Sequence, residues 1–379
     1  MKFLFFTGSR GEWGYIRPIL ELIKKNPKHS YNICVTNMHV LDNFGFSQNE
    51  IVKDGFKISD SIYMTLDGYN HATTSKSMGI LMQSFTDILD RLKPDWLVLA
   101  GDRHETLIAS IVSSYMYIPI AHIQAGELSG NIDGLARHAI GKFSHLHFSS
   151  NSDATKRLIK LGEEKFRIKQ VGAPQLDDIK KGNVYSKNEI CKSLKLESYE
   201  KYVLVIFHPV TEEYHKLGQQ IKVLIDCLNN LNEKKIWILP NSDSGSSIIR
   251  DIIYKNITSN ILLFENFERK KFLGLIENCQ FLIGNSSSGI LEAPSFKIPV
   301  INLGRRQYGR LRAKNIIDVP KISKKNIMKA IKNLNSINFK DKLKRCSNPY
   351  GDGNSSKKII NFLENTKINE KLLIKKLTY

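Results

Sequence analysis

A chain of 379 residues, 41% hydrophobic and 25% charged, has ordinary globular composition and suits two domains. Its formal charge of +19 comes from lysines spread along the chain, densest at Lys371, Lys375 and Lys376, and no basic block interleaves with aromatics as a nucleic-acid face would. The apolar opening at 3–6 is too short for a signal or a membrane span, and five scattered cysteines without a Cys-x-x-Cys pair argue against disulfides or a cysteine zinc site and for a reducing, cytoplasmic setting.

Short apolar runs then alternate with amphipathic stretches. Strands are expected at 3–7, 32–36, 96–100, 119–123 and 146–149, then at 203–207, 236–239, 261–264, 281–283 and 300–302. Helical periodicity fills the intervals at 16–24, 76–91, 106–115, 154–161, 219–228 and 270–277, with a last helix at 356–363. Runs apolar on both faces and separated by helices indicate parallel sheets. The alternation restarts after the polar stretch 177–188, with Gly182 at its middle. The expected fold is α/β, with doubly wound parallel-sheet domains at 1–180 and 181–379. The last helix is a candidate to pack back on the N-terminal domain, and the lysine-rich end is expected to fray. Such sheets bind ligands beyond the carboxyl ends of their strands, so chemistry should follow each apolar run.

The first strand runs into Gly8-Ser9-Arg10-Gly11-Glu12-Trp13-Gly14 and a helix read with Pro18 in its first turn. This is either a phosphate loop or a tight structural turn; Arg10 favours a diphosphate. The next loop, Gly101-Asp102-Arg103-His104-Glu105-Thr106, is either an N-cap aspartate with a first-turn acid or a carboxylate and arginine facing an interdomain cleft. His104-Glu105 does not continue as a His-Glu-x-x-His zinc motif. The stretch Gln124-Ala125-Gly126-Glu127 through Asp133-Gly134 leads into a helix carrying Arg137 and His138, and its plain alternative is a helix capped by Asp133. His145 and His147 read as structural, without a carboxylate at metal-ligand spacing. Later runs end in His208-Pro209-Val210-Thr211, Pro240-Asn241-Ser242, Gly284-Asn285-Ser286-Ser287-Ser288-Gly289 ahead of Glu292, and Gly304-Arg305-Arg306. Small hydroxyl residues and glycines between a strand and a helix make an anion cradle, and a glutamate one turn on can accept ribose hydroxyls.

Gly101-Asp102-Arg103-x-Glu105, the run from Gly126-Glu127 to His138-Ala139-Ile140, Ser144-His145-Leu146-His147, Val171-Gly172-x-Pro174-x-Leu176-Asp177, His208-Pro209-Val210-Thr211, Gly284-Asn285-Ser286-Ser287 and Pro299-Val300-Ile301-Asn302-Leu303-Gly304 resemble, in collinear order, the hydrolysing branch of the UDP-N-acetylglucosamine 2-epimerases. The resemblance implies two Rossmann-like domains in the glycosyltransferase-B architecture, with UDP held mainly by the C-terminal one. It implies nucleotide contacts for Arg10, Arg103, His208, Asn241, Ser286, Ser287, Glu292 and Arg306, and substrate contacts for Gln124 and Arg137. Catalytic carboxylates match Asp102 and Asp133, and a third acid belongs in a His-x-Glu segment that here reads His122-Ile123-Gln124. An amide cannot take a proton as a base, so Glu127 is the substitute candidate. The first loop also departs, with Gly11-Glu12-Trp13-Gly14 where Ala-Asp-aromatic is usual, and Gly134 replaces a second acid. A homodimer and no redox cofactor or metal are implied.

The reaction so implied eliminates UDP from a UDP-2-acetamido sugar, UDP-N-acetylglucosamine in the first reading, and hydrates the glycal to the free 2-epimer, N-acetylmannosamine. The same chemistry on UDP-2,4-diacetamido-2,4,6-trideoxyglucose, on the legionaminic rather than the sialic acid route, is the main rival. A non-hydrolysing epimerase is disfavoured by Asp133…Arg137-His138. A glycosyltransferase of the same fold would need an acceptor. A mere binder would gather carboxylates near a diphosphate to no purpose.

Overall fold

The apolar runs become strands because both faces of each are covered. The computed structural model describes residues 1–379 except 69, 198–199, 241–242 and 379. One compact unit comprises Met1–Leu128, Ile132–Lys181 and Tyr350–Tyr379; the other comprises Ser129–Asn131 and Gly182–Pro349.

The first unit holds β1 (Lys2–Thr7), β2 (Ser30–Thr36), β3 (Asp60–Ile62), β4 (Trp96–Ala100), β5 (Ile120–Ile123), β6 (Leu146–Ser149) and β7 (Ile168–Gln170). They form one parallel sheet in the order β3-β2-β1-β4-β5-β6-β7. Phe3, Phe5, Trp96 and Val98 share one core with Ile16, Ile19 and Ile359, while Leu4, Phe6, Leu97 and Leu99 share another with Leu81, Phe85 and Leu89. The second unit holds β8 (Tyr202–Ile206), β9 (Lys234–Ile238), β10 (Ile261–Phe264), β11 (Leu282–Gly284), β12 (Val300–Leu303) and β13 (Ile316–Val319), parallel in the order β10-β9-β8-β11-β12-β13. Strand order reverses between β1 and β4 in one sheet and between β8 and β11 in the other. The loops on either side of each reversal diverge there, leaving a crevice.

Three strands escape the sequence reading: β3, β7 and β13. Each lies at a sheet edge and is three or four residues long, with most of its residues only partly covered. They therefore lack the two-sided apolar run that marks a central strand.

The lysine-rich end is tied down as far as Lys375. Asp177 accepts from the Ser355 and Ser356 N–H groups (2.9 and 2.8 Å) and so caps the helix Ser355–Glu364, which packs on the helix Arg10–Lys24. Beyond it, the buried Arg167 guanidinium donates to the carbonyls of Leu372 (2.7 Å), Lys371 (2.8 Å) and Ile374 (3.2 Å). Lys375 ion-pairs with Glu163 (2.8 Å), whose other oxygen pairs with Lys142, and His147 Nε2 lies 3.0 Å from Glu163. His145 Nδ1 accepts from the Ile120 N–H (3.1 Å), so both histidines are engaged structurally. Burial draws Lys375 down to about 8, with Glu163 opposing. Among the described residues no helix is long and apolar enough to cross a membrane.

Removing the Arg167 donors leaves buried carbonyls unanswered, at roughly 1–3 kcal/mol each. Arg167→Ala is therefore expected to accelerate backbone amide hydrogen exchange across residues 370–375 well before global unfolding, read by mass spectrometry.

Candidate active site

In the first unit, Ser9 caps the helix Arg10–Lys24. Its hydroxyl accepts from the Glu12 N–H, while Glu12 Oε2 accepts from the N–H groups of Ser9 (3.1 Å) and Gly8 (2.6 Å). The backbone donors that would cradle a phosphate are thus held by the chain's own carboxyl, and the loop is a structural turn. Because the helix begins at Arg10, Pro18 lies inside it rather than in its first turn. Arg10 Nη1 donates to the Phe44 carbonyl (3.1 Å).

Asp102 does not cap the following helix. Arg103 holds that position, without a side-chain cap, and the helix is His104–Tyr115. Asp102 instead ion-pairs with Arg137, whose other nitrogen donates to the Gln124 carbonyl (2.8 Å). Arg137 is 2% exposed, so its guanidinium ties the end of β4 to the end of β5 from within. A buried guanidinium with two planar-fork acceptors suits this tie as a lysine would not. Arg137 therefore supports an acid rather than presenting itself at the surface. Asp133 stands four residues earlier on the same helix, Ile132–Phe143, and so on the same face.

Gln124 is buried with φ near +61°, an uncommon backbone state outside glycine, and its Nε2 donates to Gln175 Oε1 (3.2 Å). Glu127 accepts from Ser150 Oγ and from Asn151 Nδ2 (2.7 Å), in the turn that caps the helix Ser152–Lys160. His122 Nε2 meets the Gly101 carbonyl (2.8 Å), and burial pushes its imidazole down to about 3, so it stays neutral.

In the second unit, Gly284 ends β11 at φ 144°, and an added Cβ would collide with the Ile206 carbonyl of β8. Asn285 then spans the strand reversal: its Oδ1 accepts from the His208 N–H (2.7 Å) and its Nδ2 donates to the His208 carbonyl (2.8 Å). The Asn285 carbonyl takes Gln307 Nε2 (2.9 Å) and Arg306 Nη1 (3.3 Å), so His208 and Arg306 are both fixed through one residue. Ser286 Oγ accepts from the Ser288 N–H (3.3 Å). The helix that follows, Ser288–Leu291, has four residues, so a helix dipole contributes little to this cradle. Ser286 and Ser287 are half-buried. Glu292, buried, pairs with Arg269 Nη1 (3.0 Å), and its Oε2 has no hydrogen-bond partner among the described residues. The expected contact Asn241 lies outside the described residues.

Sequence reasoning missed two groups. Arg269 opens a helix, where a cation opposes the dipole, and that mismatch was the signal for a carboxylate partner. The acid pair Glu12 and Glu105 is the second: the unread signal for Glu12 was the Ser9-x-x-Glu12 spacing of a capping box, while Glu105 stood only as a first-turn acid.

The sequence profile described as UDP-N-acetylglucosamine 2-epimerase matches residues 21–364. The chain belongs to that family. It is an enzyme of the 2-epimerase type, and two of its relatives are named as hydrolysing enzymes. A UDP-N,N'-diacetylbacillosamine 2-epimerase (hydrolyzing) of Legionella pneumophila is 34% identical over 375 residues, covering 99% of this chain and 98% of the relative. A GDP/UDP-N,N'-diacetylbacillosamine 2-epimerase (hydrolyzing) of Campylobacter jejuni is 37% identical over 322 residues, 84% of each chain. The fold matches the crystal structure of a Neisseria meningitidis UDP-GlcNAc 2-epimerase bound to UDP-GlcNAc, with TM-score 0.81 at 20% identity over 97% of this chain and 100% of that one. Two Rossmann-like parallel-sheet domains of the glycosyltransferase-B type are thus its architecture.

Gly284→Ala is expected to cost about 3 kcal/mol or more, since both the backbone state and the contact with β8 forbid a side chain. Denaturant unfolding followed by Trp237 fluorescence in β9 measures it.

Proposed function

We propose that this enzyme is a hydrolysing 2-epimerase acting on UDP-2,4-diacetamido-2,4,6-trideoxyglucose, releasing UDP and the free 2-epimer. The observation that carries the chemistry is the Asp102–Arg137–Gln124 tie, which holds a carboxylate in place at the end of β4. The C2 hydrogen of a 2-acetamido sugar is not acidic while C1 keeps its bond to UDP. As that bond loosens, C1 gains oxocarbenium character and the hydrogen becomes removable. The family resemblance assigns the departing diphosphate to Arg10, Arg103, His208, Ser286, Ser287 and Arg306, and the unpartnered oxygen of Glu292 suits a ribose hydroxyl. Asp102 takes the C2 proton, giving a glycal. A protonated Asp133 then delivers its proton to the opposite face of C2 as water adds at C1; the proton shed by that water restores Asp133, and Asp102 returns its own to solvent, so one acid/base pair serves both halves. Glu127, committed to Ser150 and Asn151, is left with a structural role.

The relatives named for the diacetamido sugar favour that substrate over UDP-N-acetylglucosamine, and so does the neutral Gln124 where an acid is usual in the resemblance. UDP-N-acetylglucosamine is the second reading, supported by a Neisseria meningitidis relative of that name, 31% identical over 330 residues. Pure protein given each sugar nucleotide in parallel decides between them: the diacetamido sugar should release UDP faster, and equal or reversed rates would overturn the substrate assignment. Chromatography should find a free sugar, since a UDP-sugar product would mean a non-hydrolysing enzyme. Asp102→Asn and Asp133→Asn should each lower kcat by about 10²–10⁴-fold with UDP binding retained, and near-normal turnover would remove them from the mechanism.

A further inference from the structure

Where β1 and β4 part, two buried glutamates face the same gap. Glu12 is 3% and Glu105 0% exposed. Besides the Gly8 and Ser9 N–H groups, Glu12 takes the Thr106 hydroxyl (2.8 Å). Glu105 Oε1 accepts from Arg103 Nε (2.7 Å) and Asn37 Nδ2 (3.0 Å); its Oε2 lies 3.2 Å from His104 Nδ1 and has no hydrogen-bond partner among the described residues. A Cβ at Gly8 would run into the Glu105 carboxylate, and one at Gly101 would touch the Glu12 side chain at 3.8 Å. Two carboxyls buried around one gap oppose each other's ionisation, so the second proton leaves only at higher pH.

On the epimerase reading above, we propose that Glu12 and Glu105 act as one acid pair whose single negative charge, on Glu105, positions Arg103 at the end of β4 for the substrate's diphosphate. Burial, reinforced by the Glu105 charge, pushes Glu12 up to about 8 against the pull of Arg103 and the Gly8 N–H. Burial also opposes the Glu105 charge, but Arg103 and His104 outweigh it and hold that carboxyl below its usual range. Among the described residues His39 also acts on Glu105, with Arg10 near it in turn; burial between Thr7 and Ser47 keeps His39 neutral near 3. A protonated Glu12 reverses the Thr106 bond and donates through it. When Glu12 ionises, Arg103 answers two carboxylates, and its grip on a diphosphate weakens.

The test compares wild type with Glu105→Gln, Glu105→Asp and Glu12→Gln. Steady-state UDP release across pH gives kcat and KM, and calorimetry with UDP gives affinity without turnover. Glu105→Gln should raise KM and the UDP Kd by about 10–100-fold while kcat changes far less, the worth of one charge-assisted hydrogen bond, and Glu105→Asp should recover part of the loss. Wild-type KM should climb near pH 8, and Glu12→Gln should abolish that climb. Unchanged UDP affinity in folded Glu105→Gln, or a persisting alkaline climb in Glu12→Gln, overturns the proposal.

A measurement independent of ligand separates it from the reaction. The folded state holds the Glu12 proton from the ordinary glutamate value of 4.5 up to about 8, where the unfolded chain has lost it. Stability from this group is therefore present at low pH and is lost as pH rises through that window. Glu12→Gln should remove that decline in denaturant unfolding. A flattened curve alongside a wild type that releases no UDP would overturn the epimerase reading alone; an unflattened curve would overturn the acid pair whatever the enzyme does.

Discussion

Buried backbone groups at a strand-order reversal need side-chain partners, because the loops diverge there and no neighbouring strand supplies the missing hydrogen bonds. This protein meets the demand twice by the same means. In the first sheet, Glu12 closes the β1 loop on itself and Arg137 ties the neighbouring loops of β4 and β5. In the second, Asn285 spans the loops of β8 and β11, and Arg306 and Gln307 fasten onto it. The groups that would touch a ligand are therefore mounted on side chains whose own rotamers are fixed. Such preorganisation makes electrostatic stabilisation of a leaving group effective, since little has to move when charge develops.

That arrangement separates two kinds of residue that a motif cannot distinguish. Asp102 and Arg137 both lie in strings that resemble the family, yet Asp102 keeps part of its surface open while Arg137 is sealed. The division is one of burial, which depends on tertiary packing and leaves no trace in spacing. The same holds for Glu127, whose sequence position beside a missing acid suggested chemistry. Asn151 and Ser150 come to it from a distant turn.

Much of the architecture was legible because parallel strands buried on both faces announce themselves as unbroken apolar runs, as at Trp96–Ala100. The edge strands were not, since Ile168–Gln170 is mostly exposed and carries no such run. Helix starts were read late where polar residues fill the first turns, so that Arg10–Lys24 and His71–Leu92 each begin several residues before the apolar periodicity does. The serine loop after β11 was recognised from its glycines and hydroxyls. The shortness of the helix behind it was not, because Pro294 breaks the helix just beyond the fourth residue.

The return of residues 350–379 to the first unit makes the second unit, in topological terms, an insertion into the first. During vectorial synthesis the inserted sheet can close as soon as its own strands have emerged. The amino-terminal sheet, by contrast, waits with the core between Ile16, Ile19 and Ile359 unfilled until the helix Ser355–Glu364 leaves the ribosome. The half that appears first is finished last, and a chain that stops short of that helix would leave that core open to the solvent and to chaperones.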